Sequence, residues 1–202
     1  MSDVRRFSPS TARNREPILA SLRAAFPAAP PARVLEIACG SGEHGLYIAE
    51  RLGVTRWQPS DPDPEGRASV DAHAAHDRAE RLLPAIDLDV TRAWPDEDFD
   101  LVVCINMIHI SPWASTEGLM GGAAKVLAKT NGVLYMYGPY RKDGAHTAPS
   151  NDAFDGRLRA QNPAWGVRDL EAVVAEAAKN ELFLRSVTPM PANNFSLVFD
   201  AR

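Results

Sequence analysis

The chain has little cysteine, no long hydrophobic run and no strong excess of charge of either sign. Two cysteines in 202 residues exclude a fold held together by several disulfide bonds. No run approaches the 18 apolar residues of a membrane-spanning helix, and the N-terminus lacks the apolar stretch of a signal peptide. The formal net charge of −4 argues against a large phosphate-binding surface. We therefore expect a cytoplasmic protein that binds neither membranes nor nucleic acids.

The chain does contain a regular alternation of short β-rich runs and helical patterns. This order is typical of an α/β protein with a mostly parallel sheet and helices on both faces. The last two strand patterns have no helix between them, so they are expected to pair antiparallel. Residues 1–202 are expected to form a single domain, with a long loop at 138–165 that holds at most short helices. Strands are expected at 33–39, 55–59, 86–90, 99–105, 133–137, 182–187 and 195–199, and helices at 43–51, 66–83, 111–128 and 169–179.

A glycine-rich turn, Gly40-Ser41-Gly42, follows the first predicted strand. Glycine permits a positive φ and lets a ligand approach the backbone closely. Ligands of such sheets bind beyond the carboxyl ends of the strands, where this turn lies. Residues 40–45 match the dinucleotide fingerprint G-x-G-x-x-G, so an NAD(P)-binding oxidoreductase is one alternative. No lysine follows the glycines, which excludes a phosphate-binding P-loop.

Two acidic residues beside this turn favour a cationic ligand over a pyrophosphate. Glu36 lies inside the strand and Glu43 begins the following helix, where either carboxylate would repel a phosphate. S-adenosylmethionine instead carries a sulfonium and an ammonium group, which nearby carboxylates attract. Residues 34–42 resemble the first motif of class I methyltransferases, acid-x-Gly-x-Gly-x-Gly, with alanine in place of one glycine. The residues predicted to bind S-adenosylmethionine here are Glu36, Ala38, Gly40 and Gly42.

Further acidic residues follow the next two predicted strands. Asp61 comes after the second strand, where a carboxylate can accept hydrogen bonds from ribose hydroxyls, and Asp63 is a nearby alternative. Asp87 and Asp89 lie at the end of the third predicted strand. The methyltransferase pattern has an acid there that binds the adenine amino group, and an exposed loop aspartate is the alternative. We assign Asp61 and Asp89 to the cofactor site.

Asn106, Met107 and His109 follow the fourth predicted strand, beside the expected position of the transferred methyl group. Asn106 and Met107 are predicted to bind the cofactor, and Asn106 and His109 to be catalytic. A general base is needed only when the acceptor arrives protonated. The ordinary histidine pKa near 6.5 suits His109 to that task. The alternative is a structural histidine bonded to a backbone carbonyl.

Two other segments contain candidate contact residues. Tyr140, Arg141 and His146 lie in the long loop, where they are predicted to bind the acceptor, and an arginine would suit a carboxylate. Arg13 and Asn14 precede the first strand, on a helix that can fold back over the cofactor. A solvated helix face would show the same pattern.

The cysteines and histidines give no sign of a metal centre. The five histidines have no ligand-like spacing beyond one pair, His73 and His76, and two ligands do not make a zinc site. Cys39 and Cys104 lie in strands that are expected to be neighbours. We predict that both are buried, reduced thiols.

Several longer runs carry a resemblance that extends over nearly the whole chain. They are FSP at 7–9, RNREPI at 13–18, WQPSD at 57–61, CINMIHISPW at 104–113, YGPY at 137–140, HT at 146–147, SN at 150–151, NPAWG at 162–166 and PANN at 191–194. These runs resemble the methyltransferase-like protein 26 family, also called domain of unknown function 938. The resemblance implies a Rossmann-like class I methyltransferase fold, with a seven-stranded sheet, and a site for S-adenosylmethionine. It implies little about the acceptor.

The function expected from the sequence is methyl transfer from S-adenosylmethionine to a small-molecule acceptor by direct displacement. Two alternatives remain open at this point. One is the NAD(P)-binding oxidoreductase, and the other is a catalytically inactive module that binds S-adenosylmethionine. The sequence does not predict an oligomeric state.

Overall fold

Nine strands and six helices make up the fold in the computed structural model, which describes residues 3–202 apart from the side chain of Asp77. The strands are β1 (Arg33–Ile37), β2 (Arg56–Pro59), β3 (Leu101–Ile105), β4 (Val133–Gly138), β5 (Tyr140–Lys142), β6 (Ala145–His146), β7 (Arg168–Asp169), β8 (Leu182–Met190) and β9 (Asn194–Ala201). The helices are α1 (Pro9–Ala25), α2 (Glu43–Leu52), α3 (Pro64–Asp77), α4 (Trp113–Leu127), α5 (Pro149–Gln161) and α6 (Leu170–Lys179). No helix within residues 3–202 is long and apolar enough to cross a membrane.

A six-stranded sheet in the order β2-β1-β3-β4-β9-β8 forms the centre of the fold. Strands β1 to β4 pair in parallel, and β9 pairs antiparallel with β4 on one side and β8 on the other. The expected α/β fold with an antiparallel last strand is therefore confirmed. The parallel strands all end at one edge of the sheet, so the turns that follow β1, β2, β3 and β4 lie together there.

The third predicted strand, at 86–90, is reduced to a single bridge. Ser60 pairs with Ile86 in the parallel sense, and Trp57 pairs likewise with Leu82, but no continuous ladder connects them. Pro84 lies between the two bridges and has no N–H to donate, which explains the break. The central sheet thus has six strands, with isolated bridges at the place of the seventh.

The two faces of the sheet carry separate hydrophobic cores, because neighbouring strand residues point to opposite sides. Val34 and Leu101 pack with side chains of α1 and α2, whereas Leu35 and Val102 pack with α4 and α6. The strands are therefore apolar on both faces, as expected of a buried parallel sheet.

Residues 138–165 do not form the long loop that the sequence suggested. They contain β5, β6 and the 13-residue helix α5, and β5 also pairs in parallel with β7 to complete a small three-stranded sheet. The buried face of α5 consists of Asn151, Asp155 and Leu158. Two of these three side chains are polar, so the helix lacks the apolar periodicity by which an amphipathic helix is recognised.

Both cysteines are buried and unbridged. Cys39 is 5% exposed and Cys104 is 1% exposed. Burial raises the pKa of Cys104 to about 12 and raises that of Cys39 further. The expectation of two buried thiols is confirmed.

Candidate functional site

The turn after β1 contains three left-handed residues in alternation. Ala38, Gly40 and Gly42 have φ angles of 52°, 58° and 86°. A Cβ atom at Gly42 would lie 2.6 Å from Cγ2 of Val70 in α3, whereas nothing lies within 4 Å of a Cβ atom at Gly40. Gly42 is therefore required by packing against α3. Gly40 borders open space beyond the carboxyl end of β1.

Glu36 lies beneath this turn and is only 2% exposed. Its Oε2 accepts a hydrogen bond of 2.8 Å from Nε1 of Trp57, and a Cβ atom at Gly45 would lie 2.6 Å from the same oxygen. Burial raises the pKa of Glu36 to about 8, against the hydrogen bond from Trp57, and the charge of Asp61 adds to the rise. Glu36 is thus packed against the first turn of α2, and its contact with a cofactor stays a prediction.

Asp61, just after the neighbouring strand β2, is hydrogen-bonded to the glycine turn. Its Oδ2 accepts a hydrogen bond of 2.8 Å from the Gly40 amide, and its Oδ1 accepts one of 2.9 Å from the Asp63 amide. Asp63 begins α3 instead, where its side chain caps the Glu65 amide at 3.0 Å. The structure therefore brings Asp61 together with Gly40 and gives the competing aspartate a capping task.

Asp89 lies in the connection between α3 and β3. Its Oδ1 accepts hydrogen bonds from the amide and the hydroxyl of Thr91, at 2.9 and 2.8 Å. These hydrogen bonds lower its pKa. Asp87 is exposed and forms an ion pair with Arg67 at 3.5 Å. Both aspartates have local partners, so an adenine contact of Asp89 stays a prediction.

The turn after β3 is held to the end of β4. Asn106 is left-handed, with a φ of 61°, and its amide donates to the Tyr137 carbonyl at 2.8 Å. Its side-chain Oδ1 would lie 3.2 Å from a Cβ atom at Gly138. Met107 is 7% exposed, and its carbonyl accepts a hydrogen bond from the Ser111 hydroxyl. Asn106 is thus fixed at the edge of the sheet where β3 and β4 end.

His109 is completely buried in this turn. Its Nδ1 lies 3.4 Å from the Arg168 amide, which donates to it, so the ring proton is on Nε2. Nε2 has no hydrogen-bond partner within the described chain, and a Cβ atom at Gly138 would lie 2.4 Å from it. Burial lowers the pKa of His109 to about 3, and the charge of Arg168 contributes. The ring is a neutral, enclosed group, packed edge-on against Tyr140.

Arg168 connects the segment before α6 to the turn that contains His109 through hydrogen bonds. Its guanidinium donates to the carbonyls of Ile108, Ser111 and Ala164, at 2.9, 2.6 and 2.9 Å. The Gly166 amide also donates to the His109 carbonyl at 2.9 Å. Nothing in the spacing of the sequence indicated this connection, because the partners are backbone carbonyls.

A polar group joins α1 to the glycine turn. Asn14 is 8% exposed, and its Oδ1 lies 2.8 Å from Nε2 of His44 in the first turn of α2. Burial, with a smaller contribution from the charge of nearby Arg15, lowers the pKa of His44 to about 4. With the asparagine oxygen as acceptor, His44 carries its proton on Nε2 and keeps the lone pair on Nδ1. Arg13, the preceding residue, is exposed.

Tyr137 extends this polar group to the end of β4. Burial is the largest effect on the Tyr137 hydroxyl and raises its pKa. The side-chain amides of Asn14 and Asn194 lie beside this hydroxyl and have the smaller, opposite effect on the pKa. His44, Tyr137 and Asn194 were not predicted as site residues. Two features of the sequence could have indicated them. His44 comes two residues after Gly42, and Asn194 ends the PANN run at 191–194.

The three residues predicted to bind an acceptor lie in the small sheet, not in an open loop. Tyr140 is completely buried, and its hydroxyl has no hydrogen-bond partner within residues 3–202. Nε of Arg141 lies 3.0 Å from Oδ1 of Asp169. His146 lies opposite Arg141 on β6, with Nε2 3.6 Å from Oδ2 of Asp155. Their contact with an acceptor stays a prediction.

A family model matches residues 5–201, which is nearly the whole chain. Its description is "Protein of unknown function (DUF938)". The chain belongs to the DUF938 family. The match confirms the DUF938 part of the family resemblance, and the name methyltransferase-like protein 26 stays a prediction.

Several solved structures that are similar to this DUF938 protein are methyltransferases by name. An O-methyltransferase family protein from Burkholderia thailandensis is 16% identical, with a TM-score of 0.77 over 95% of this chain and 57% of its own. The S-adenosylmethionine-dependent methyltransferase SibL is 14% identical, with a TM-score of 0.78 over 95% of this chain and 55% of its own. The N-methyltransferase NodS from Bradyrhizobium japonicum WM9 is 17% identical, with a TM-score of 0.66 over 96% of this chain and 98% of its own.

At 14–17% identity these structural likenesses show the fold alone, an α/β fold shared with the three methyltransferases. The DUF938 chain spans little more than half the length of the first two proteins and nearly all of the third. The names of the neighbours include both O- and N-methylation.

Proposed function

We propose that this DUF938 protein transfers a methyl group from S-adenosylmethionine to a small-molecule acceptor by direct displacement. The observation that carries the proposal is the turn after β1. Three alternating residues of this turn have left-handed backbones, with open space beside Gly40. The Asp61 carboxylate, after strand β2, accepts a hydrogen bond from the Gly40 amide. The methyltransferase fold of the similar structures supports the same function, as does the resemblance to methyltransferase-like protein 26.

The residues around the turn fit this cofactor. Space is open beside Gly40, and the first turn of α2 offers backbone N–H groups to a carboxylate. The Asp61 carboxylate has about four acceptor sites, of which two backbone amides use two, so it can still accept from ribose hydroxyls. The residues that would hold S-adenosylmethionine are Arg13, Asn14, Glu36, Ala38, Gly40, Gly42, Asp61, Asp89, Asn106 and Met107.

The protein's contribution to such a reaction is mainly alignment, since the bound cofactor supplies an activated methyl group. Correct orientation of two reactants can supply roughly 7–11 kcal/mol of a barrier. Asn106 suits that task because its backbone is fixed on both sides, to Tyr137 and to His109. The small sheet with Tyr140, Arg141 and His146 follows β4 directly, so the proposed acceptor contacts lie on the continuation of the same sheet edge.

An acceptor that arrives protonated would need a proton acceptor, and two histidines are candidates. His109 is enclosed, with Nε2 protonated and directed at Gly138. His44 has the more suitable arrangement, since Asn14 fixes its tautomer and leaves the Nδ1 lone pair available. We therefore add His44 to His109 as a candidate base.

Calorimetric titration tests the cofactor assignment. Wild-type protein is expected to bind S-adenosylmethionine and its demethylated product, and not NAD or NADP. Asp61→Ala should weaken both ligands about tenfold or more, because ribose is common to them and a hydrogen bond to a charged group contributes about 1.5–3 kcal/mol. Asp63→Ala is the matched control and should bind both as the wild type does. Binding of NAD or NADP alone would instead support the oxidoreductase alternative.

A transfer assay tests catalysis separately from binding. Protein is incubated with methyl-labelled S-adenosylmethionine and a protein-free extract of small molecules, and labelled products are separated. New labelled compounds that require the protein are the expected result. Tight cofactor binding without any labelled product would identify an inactive binding module.

The same assay distinguishes the two histidines. If His44 is the base, His44→Gln should lower turnover by about 10²–10⁴ while His109→Gln keeps most of it. If His109→Gln loses turnover and His44→Gln keeps most of it, His109 is the base. Equal, near-wild-type turnover in both variants would mean that alignment alone accounts for the reaction.

A further inference from the structure

A cleft lies on the outer side of α2, between this helix, residues 78–82 and the N-terminal segment. Its volume is about 650 Å³, within the usual range for small-ligand sites. Apolar side chains form part of its wall, among them Leu46 and Leu82. Charged side chains dominate the rest: Arg5, Arg15, Arg51, Arg78, Arg81, His73 and His76, with Glu43, Glu50 and Glu80.

The cleft is positively charged on a protein whose net charge is −4. Five arginines and three glutamates line it, but Arg5 is paired with Asp3 at 2.7 Å, so the other four arginines exceed the glutamates by one charge. Glu43 is already used by the neighbouring turn, because its Oε2 accepts from the Ser8 amide at 2.6 Å and from the Ser41 hydroxyl at 3.0 Å. These hydrogen bonds hold the Glu43 carboxylate in place, and its negative charge remains part of the balance.

Two of these arginines are ordered by stacking on one aromatic ring. The guanidinium carbons of Arg15 and Arg51 lie 4.4 and 4.0 Å from the centre of the Tyr47 ring. The Tyr47 hydroxyl donates to Glu16, which fixes the ring. Ordering of long side chains before binding lowers the entropy lost when a ligand arrives.

Part of this positive charge has no acidic partner. Within the described part of the chain, no ion pair joins Arg15 or Arg81 to a carboxylate. Arg81 donates through Nη1 to the Val54 carbonyl at 3.1 Å, which directs the group while leaving other N–H donors. Guanidinium groups bind phosphate oxygens through two parallel hydrogen bonds, a geometry that ammonium groups do not provide.

We propose that this cleft binds a compact polyphosphate anion, with Arg15, Arg51 and Arg81 as its main contacts. The site is separate from the glycine turn and does not depend on the proposed methyl transfer. The ligand is either an inorganic phosphate chain or the phosphate end of a nucleotide, since the arginines recognise the chemistry that these share.

Calorimetric titration with inorganic tripolyphosphate tests the proposal, in protein saturated with the demethylated product of S-adenosylmethionine. Saturation keeps the glycine turn from contributing. The wild type is expected to bind, and Arg15→Gln and Arg51→Gln should each weaken binding about tenfold. Arg157→Gln removes the same charge from α5 and should leave binding unchanged. Affinity should also fall as the salt concentration rises.

Three outcomes would overturn the proposal. They are no measurable binding by the wild type, no loss in Arg15→Gln and Arg51→Gln when circular dichroism shows both to be folded, and an equal loss in Arg157→Gln. Arg81→Gln provides a further variant if one of the first two does not fold. Guanosine triphosphate, titrated under the same conditions, identifies the source. If guanosine triphosphate binds more tightly than tripolyphosphate, the ligand is a nucleotide. If it binds equally or more weakly, the ligand is the phosphate chain alone.

Discussion

Ala38 is the residue at which the glycine turn departs from the motif it resembles. It has a φ of 52° where the motif has glycine, and both glycines that follow are left-handed as well. An L-residue in this conformation costs roughly 1–2 kcal/mol. The alanine accepts this strain in a left-handed turn, and its methyl group packs against the hydrophobic core.

Replacement of this alanine by glycine should raise stability. Ala38→Gly removes the left-handed strain and loses about 0.5–1 kcal/mol through the greater freedom of the unfolded chain. The expected net gain is up to about 1.5 kcal/mol, measured by denaturant unfolding. Ala49→Gly, within the right-handed α2, is the control and should destabilise. A destabilised Ala38→Gly would show that the methyl group contributes packing that outweighs the strain.

The residues of the site were predictable to different degrees. Gly40 and Asp61 could be paired from the sequence because each follows a strand, and parallel neighbouring strands end at the same edge. Glu36 shows the limit of that reasoning. The alternation of strand residues predicts the face of the sheet on which Glu36 lies. Only the packing of Trp57 and Gly45 against it shows that its carboxyl group is buried.

At the scale of elements, the connection from the β3 turn to the segment before α6 holds the candidate site in place. Arg168 makes three hydrogen bonds to carbonyls in two separate segments. Arg168→Lys replaces the planar group by a single ammonium, which cannot reach all three. A loss of about 2 kcal/mol is expected in denaturant unfolding. Arg157→Lys, on the exposed side of α5, should change little.

A second measurement separates positioning from stability in this variant. If Arg168 positions the turn with Asn106, then Arg168→Lys should weaken the binding of S-adenosylmethionine even at a temperature where the variant is fully folded. Wild-type affinity in the folded variant would limit Arg168 to a stabilising role.

Elements with apolar periodicity were predicted well, and the others were not. The helix expected at 111–128 matches α4, and the strand expected at 133–137 matches β4. Helix α5 was missed because its buried face is held by polar contacts. Asn151, for example, donates to the Asn193 carbonyl at 2.9 Å. Such contacts leave no pattern of hydrophobic residues in the sequence.

For the whole molecule, three buried ionisable groups predict how stability depends on pH. His44 and His109 have pKa values lowered from 6.5 to about 4 and 3. The unfolded chain therefore binds more protons below pH 6.5, and stability falls as pH decreases. Glu36 has a pKa raised from 4.5 to about 8, so the folded state binds the extra proton and stability falls as pH rises between these values.

The sum of these effects places the stability maximum near pH 6.5. Between pH 5 and 6.5 the two histidines outweigh the one glutamate, and between pH 6.5 and 8 the histidine contribution fades and the glutamate outweighs it. Thermal unfolding across pH 5 to 8 measures the profile. Glu36→Gln should remove the decline above pH 6.5, and His44→Gln should lessen the decline below it. A wild-type profile that is flat from pH 6.5 to 8 would contradict the burial of a protonated Glu36.

The position of β9 in the sheet has a consequence for synthesis on the ribosome. β9 follows every other strand in the sequence, yet it lies between β4 and β8. While the chain is being made, β4 must keep one edge without hydrogen-bonding partners until residues 194–201 emerge, and β8 has nothing to pair with. Exposed strand edges are the usual starting points of aggregation. The nascent chain should therefore depend on chaperones until its last strand inserts, although every preceding helix and strand has already been translated.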